Sequence, residues 1–517
     1  MKNESRIHKS WMNTKVNLVF YLLMTVVTFF SRKIFLERLG ADFIGLTGTL
    51  QNILGLLNLA ELGIGSAVSF VLYKPLREGD KQAISEIVSV FGYYYRKIGT
   101  IVLGIAVLVS LFFPFIFKES VFDNSLIYFA FYAFLLSSLI GYFINFRQIL
   151  LTADQKKYVV TAYFQTANLV KILIQVVVAL YATNLYAWVA IELNFGLLYA
   201  VILNWKIRQH YPWLEATIDK GHRERRNYPV IITKTKQVFI HKFKDFLLSQ
   251  SDQILVFAFV SLKMVAYYGN YVMVVSKVTM LFSTAMDGMF ASVGNLIAEN
   301  DRKKIQKVFW ELVCLRFFIG GVVVFCVYHL MVPFIALWVG PQYILDHSIL
   351  ILLMVSTFIM LTRGAVDMFN AGYGNYGDLW AAWTEGVICL MVTLLAASEW
   401  GLAGILVGKI VSLVPIVVIW KPVYLYRQGF HLPPKEYWKG VFPYYVAFGA
   451  AFLLLHFMAD WIPVCPSEGI YPLVAYAVII STGFIAVYSV LLYWLADGAK
   501  SLVVRMVDII NAKRRKS

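Results

Sequence analysis

"VFIHKFKDFLLSQSDQILVFAF", Val238 to Phe259, has the length and apolar ends of a bilayer-spanning helix, yet it carries Lys242, Lys244, Asp245 and Asp252. At about 100° per residue, Lys242, Asp245, Ser249, Asp252 and Gln253 share one helical face with His241, whereas Phe243, Phe246, Leu247, Ile254 and Leu255 lie elsewhere. An ionisable group at the bilayer centre costs roughly 2.5 to 3.5 kcal/mol on insertion scales, so several on one face imply protein partners or a wet cavity. Lys244 is off that face and, near the helix end, is placed to snorkel.

The rest of the chain sets this stretch in a membrane. Of 517 residues, 60% are hydrophobic and 15% charged, with a mean hydropathy of +0.69, outside the range of soluble domains. The expected fold class is an all-α polytopic membrane protein of about 14 transmembrane helices, in two pseudo-symmetric six-helix lobes plus two C-terminal helices. Residues 1–207 form the first lobe, 208–235 a basic cytoplasmic linker, 236–426 the second lobe, 427–496 the last two helices and 497–517 a basic cytoplasmic tail. Two spans are too long to be straight, and "ELGIGS" (Glu61 to Ser66) places a glycine break in the second. The polar start "MKNESRIHKSWMNTK" has no cleavage signature, so the first helix is expected to be a retained anchor.

Charge placement supports these spans. The net charge of +16 is distributed by topology: about thirty-four of the 46 Lys and Arg residues fall in alternate connections, read as cytoplasmic with both termini, and about five in the others. This excludes nucleic acid as the reason for the basic balance. Outer connections such as "KESVFDN", "ATNL" and "SEW" are too short for an external domain. Cys314, Cys326, Cys389 and Cys465 show no close pairing, so neither disulfide nor metal is expected. No phosphate loop, nucleophile elbow or metal-spaced cluster indicates an enzyme.

Weak echoes relate "GADFIGLTGTLQNILGLLNLAELGIGSAVS" from Gly40 to "KMVAYYGNYVMVVSKVTMLFSTAMDGMFASVG" from Lys263, each with an acid-glycine break, at Glu61 and Asp287. Intramembrane cations besides Lys242 are Lys171, Lys277, Arg316, Arg363 and Lys409; acids include Glu61, Glu192, Asp287, Asp367 and Glu385. Arg363 and Asp367 are i, i+4 neighbours, which fits a self-neutralised pair as well as a binding role. For the other cations, a cavity role stands beside static inter-helix pairing. Cations in such a cavity suit a phosphate or diphosphate. The acids, Asp252 and Glu61 foremost and then Asp245, Asp287, Asp367 and Glu385, would bind a coupling proton or sodium ion, or balance the lysines. Tyr93 to Tyr95 and Tyr267, Tyr268 and Tyr271 read as packing or interface residues.

Several segments in order, "LGADFIGLTGTLQNILGLLNLAELGIGSAVSFVLYKPL", "QILLTADQKKYVV", "SQSDQIL", "ASVGNLIAEND", "FIALWVGPQYIL" and "GLAGILVGKIVSLV", resemble the polysaccharide transporter family of the multidrug/oligosaccharidyl-lipid/polysaccharide exporter superfamily. The resemblance implies alternating access between two lobes and transport of an undecaprenyl-diphosphate-linked oligosaccharide from the inner to the outer leaflet. Polysaccharide polymerase and glycosyltransferases would be its partners in a bacterial cytoplasmic membrane. The related lipid II flippases carry cavity arginines on early helices, whereas the first span here has no cation between Lys15 and Arg32. The task of holding the diphosphate would then fall to later helices, first to Lys242 and Lys277, with Arg316, Arg363, Lys171 and Lys409 as secondary candidates. The rival readings are a cation-coupled exporter of small organic molecules and a membrane glycan polymerase or ligase.

Overall fold

A computed structural model describes residues 6–58, 63–236, 253–287, 289–375 and 377–514. Among them the regular structure is entirely helical, as an apolar chain without water to satisfy its backbone requires. The chain divides into two compact units, Met1–Ala266 and Tyr267–Ser517. The first therefore includes residues 253–266, which the sequence reading assigned to the second lobe.

The first unit is built from α1 (Arg6–Leu39), α2 (Ala41–Leu57), α3 (Ile64–Glu78), α4 (Lys81–Ser110), α5 (Asn124–Phe143), α6 (Lys157–Tyr181), α7 (Leu185–His210) and the short α8 (Ile218–Glu224). Side-chain caps set several starts: Asp80 accepts from the Ala83 amide and Asn184 from the Ala187 amide. Gly63, with φ 98°, stands at the start of α3, inside the "ELGIGS" segment that the sequence marks as a break. α1 packs on α6, α5 on α7, and α6 on α7.

The connection after α7 is docked rather than loose. α8 lies against α4, where Gly221 comes so close that a Cβ would overlap the Ser89 carbonyl. The Thr217 amide donates to Ser89 Oγ at 3.2 Å, the Tyr228 hydroxyl to Glu86 at 2.9 Å, His222 meets Tyr93 edge-on, and the Arg225 guanidinium lies over the Tyr93 ring. A stretch that reads as a basic linker thus forms part of the first unit.

The second unit comprises α9 (Leu262–Asp287, beginning in the first), α10 (Phe290–Ala298), α11 (Arg302–Trp338), α12 (His347–Thr362), α13 (Gly364–Gly372), α14 (Leu379–Leu413), α15 (Pro434–Ala459), α16 (Ile470–Leu495) and α17 (Asp497–Arg514). Its centre is an aromatic seam. Phe325 stacks on Phe484 with ring centres 4.0 Å apart, Phe358 on Phe448 at 4.4 Å, and the buried Tyr488 hydroxyl donates to the Phe317 carbonyl at 3.1 Å. α15 and α16 are thereby integral to the unit. The C-terminal segment, read as a basic tail, forms α17 along α11. Buried Glu311 of α11 accepts from Arg505 at 2.6 Å and from Ser501 at 2.5 Å.

Nine helical segments among the described residues are long and apolar enough to cross a membrane. One of them, Trp380–Phe430, has 51 residues, about 75 Å of helix against roughly 30 Å of hydrocarbon, and so must span twice. The break is at Gly401, whose φ of 53° and ψ of −125° are non-helical, next to the predicted "SEW" connection. The two arms pack face to face: a Cβ at Gly404 would overlap the Ala396 carbonyl, and one at Gly408 would overlap Thr393. Of the expected spans beyond these, α4 carries charge, α2 with α3 and α9 with α10 are separate shorter helices, and Lys236 to Val260 lies mostly outside the described residues.

Candidate functional site

In the first unit, antiparallel α6 and α7 bring Lys171 to 2.6 Å from Glu192. Gln175, one turn along α6, donates to the other Glu192 oxygen at 3.3 Å and to the Trp188 carbonyl at 3.2 Å. The pair is largely buried, with side-chain exposures of 16% and 19%, where its strong geometry offsets desolvation. It opens on a cavity of about 300 Å³ whose wall also carries Gln51, Asn58, Ser137, Ser138 and Asn168. Asn58 is held by Ser138 at 3.0 Å and by the Tyr142 hydroxyl at 3.0 Å. Leu54, Phe134, Phe164 and Phe195 share the wall, so the lining is mixed, and Lys171 on it is paired with Glu192.

Lys242, Asp245, Asp252 and Glu61 lie outside the described residues, and Asp287 is described only as the last residue of α9. Gln253, the final member of the polar face in the opening stretch, is described: its side-chain Oε1 accepts from the Asn52 side-chain amide of α2 at 2.6 Å. Four residues on, Phe257 stacks on Phe117 with ring centres 5.0 Å apart. At this end, the polar face meets protein.

In the second unit, Arg363 Nε lies 3.0 Å from Asp367 Oδ2, the i, i+4 pair the spacing implies. Buried Arg316 reaches across from α11, and its guanidinium packs where a Cβ at Gly364 would sit, next to Arg363 in sequence. Its Nη2 is 4.0 Å from the Met368 sulfur. Arg316 thus packs against the backbone of the α12–α13 junction, where Arg363 also stands. Lys277 and Lys409 are half-buried on α9 and α14, and Glu385 of α14 is fully buried.

Sequence reasoning missed three polar features. Buried Asp378, just before α14, accepts from Lys421 at 2.6 Å and from the Trp420 indole at 3.2 Å. Glu311 holds α17, as described above. Arg96, Arg147 and Arg208 line one cleft of the first unit. No periodicity marks these residues as partners, because each set joins distant parts of the chain.

No protein-family model matches the chain, and no curated protein matches its sequence. Solved structures do match its fold. One is described as the lipid II flippase MurJ in an inward closed conformation; the match covers 92% of this chain and 98% of that one, with a TM-score of 0.63 and 12% identity. Another is a multidrug resistance MATE family transporter of the MOP superfamily in an inward-facing conformation, covering 80% and 97%, with a TM-score of 0.56 and 15% identity. The fold is that of these multi-pass membrane transporters. At such identities the likeness is one of architecture.

Proposed function

We propose that the chain is a non-enzymatic flippase that carries an undecaprenyl-diphosphate-linked oligosaccharide from the inner to the outer leaflet for cell-surface polysaccharide assembly. The observation that supports this most is the likeness to a lipid II flippase over 92% of the chain, against 80% for the MATE transporter. In this reading the protein works in a bacterial cytoplasmic membrane, with both termini in the cytoplasm, beside glycosyltransferases and a polymerase. Lys242 and Lys277 hold the diphosphate as point charges, assisted by Arg316 and Lys409. Lys171 and Arg363, each closed by a carboxylate, act as internal counter-charges. Asp252 and Glu61 are the first candidates for a coupling proton or sodium ion.

The test is surface glycan in a cell that depends on this protein. Lys242→Ala and Lys277→Ala should abolish display while the protein remains folded and inserted. Normal glycan in both variants refutes the ligand assignment. Loss of export of small organic molecules with normal glycan display would identify the exporter reading instead.

A further inference from the structure

At one end of the first unit, three arginines from separate elements line a single cleft of about 670 Å³. Arg96 comes from α4, Arg147 from the turn after α5, and Arg208 from the last turn of α7. Arg147 and Arg208 also line an adjoining cleft of about 370 Å³, so they stand on the wall between the two. Among the described residues, no carboxylate lies within ion-pair distance of any of the three, although Lys171 and Lys156 in the same unit each have one. Asp219 and Glu215, the acids on these walls, are exposed.

Arg147 is fixed in place, whereas Arg96 and Arg208 reach the cleft as exposed side chains. Arg147 Nη2 donates to the Ala216 carbonyl at 2.8 Å, and its guanidinium lies 5.0 Å from the Phe146 ring centre. Ala216 is itself fixed by the docking of α8, through the Thr217 bond to Ser89. Burial, and then the charge of Arg208, hold the Arg147 guanidinium below its ordinary pKa. Like charges kept together without a counter-ion favour an anion that can accept from several forks at once. Exposed apolar side chains flank them: Val201, Ile144 and Trp205 line the same cleft. Lys156, Lys157 and Lys206, close by in sequence, place this end on the basic side of the chain.

We infer that Arg96, Arg147 and Arg208 form a phosphate-binding site, taking either the headgroup of an anionic phospholipid, with its acyl chains along Val201 and Ile144, or a free phosphate group. Basic pockets between helices at a membrane surface recognise headgroups by this chemistry. The site is separate from the residues assigned to the transported diphosphate and does not depend on that assignment.

The test uses the full-length protein, purified from micelles containing equal parts phosphatidylglycerol and phosphatidylcholine, with co-purifying lipid measured by mass spectrometry. Wild type should enrich phosphatidylglycerol. Arg208→Gln should lower the enrichment about tenfold, as loss of one charge-assisted contact to a phosphate predicts. Arg208→Lys should retain most of it, and Lys500→Gln, the same charge loss elsewhere, should retain all of it. Arg147 also ties down Ala216, so Arg208→Gln, which breaks no hydrogen bond among the described residues, is the deciding variant. A second arm measures radiolabelled inorganic phosphate on lipid-free protein in detergent. Binding there that Arg208→Gln abolishes assigns the site to free phosphate; phosphatidylglycerol enrichment without it assigns the site to the lipid headgroup. Wild type that takes up neither, or enrichment and phosphate binding both unchanged in Arg208→Gln, overturns the inference.

Discussion

Glu192→Gln isolates the charge of the Lys171–Glu192 pair with little change in shape. The amide oxygen can still accept from Lys171, so what is lost is the charge attraction across 2.6 Å, in a site where both side chains are less than one-fifth exposed. Removing one partner of a buried pair costs about 3 to 5 kcal/mol. The retained hydrogen bond and the opening onto the cavity reduce this to roughly 2 kcal/mol. Denaturation in detergent should show a loss of that order for Glu192→Gln, and a similar one for Lys171→Met. The double variant Lys171→Met with Glu192→Met should recover most of the stability, because it leaves no orphaned charge. It should also keep glycan display if Lys171 is only a counter-charge. Two outcomes refute the reasoning: additive losses in the double variant, or a double variant that is stable and inserted yet displays no glycan, which would make Lys171 a ligand.

Gly221→Ala drives a Cβ into the Ser89 carbonyl, so α8 should detach from α4; overpacking of this kind costs about 1 to 3 kcal/mol, and limited proteolysis between residues 217 and 228 should accelerate. Gly408→Val forces Thr393 away from the helix that packs on it, and a thermal shift assay should show destabilisation of about 1 to 3 kcal/mol. Glu311→Gln weakens the attachment of α17 through Arg505 and Ser501, by about 1 to 2 kcal/mol, and hydrogen exchange should rise in residues 497–514 but not in α15.

Local features of the chain carried much of the architecture. The 60% hydrophobic composition and the alternation of basic connections determined a polytopic helical protein, because the cost of inserting each residue depends on its own side chain and immediate neighbours. The turns at Gly63 and Gly401 were legible for the same reason, since a positive φ favours glycine. The spacing of Arg363 and Asp367 was enough to place them in contact, because four residues make one helical turn. Tertiary structure alone decided that Lys171 meets Glu192, that Glu311 holds the C-terminal helix, that the basic linker docks on α4, and that Arg96, Arg147 and Arg208 share a cleft. Each of these depends on which helices pack side by side and in what rotation. Hydropathy cannot determine that, because an apolar helix face is as well satisfied by lipid as by another helix.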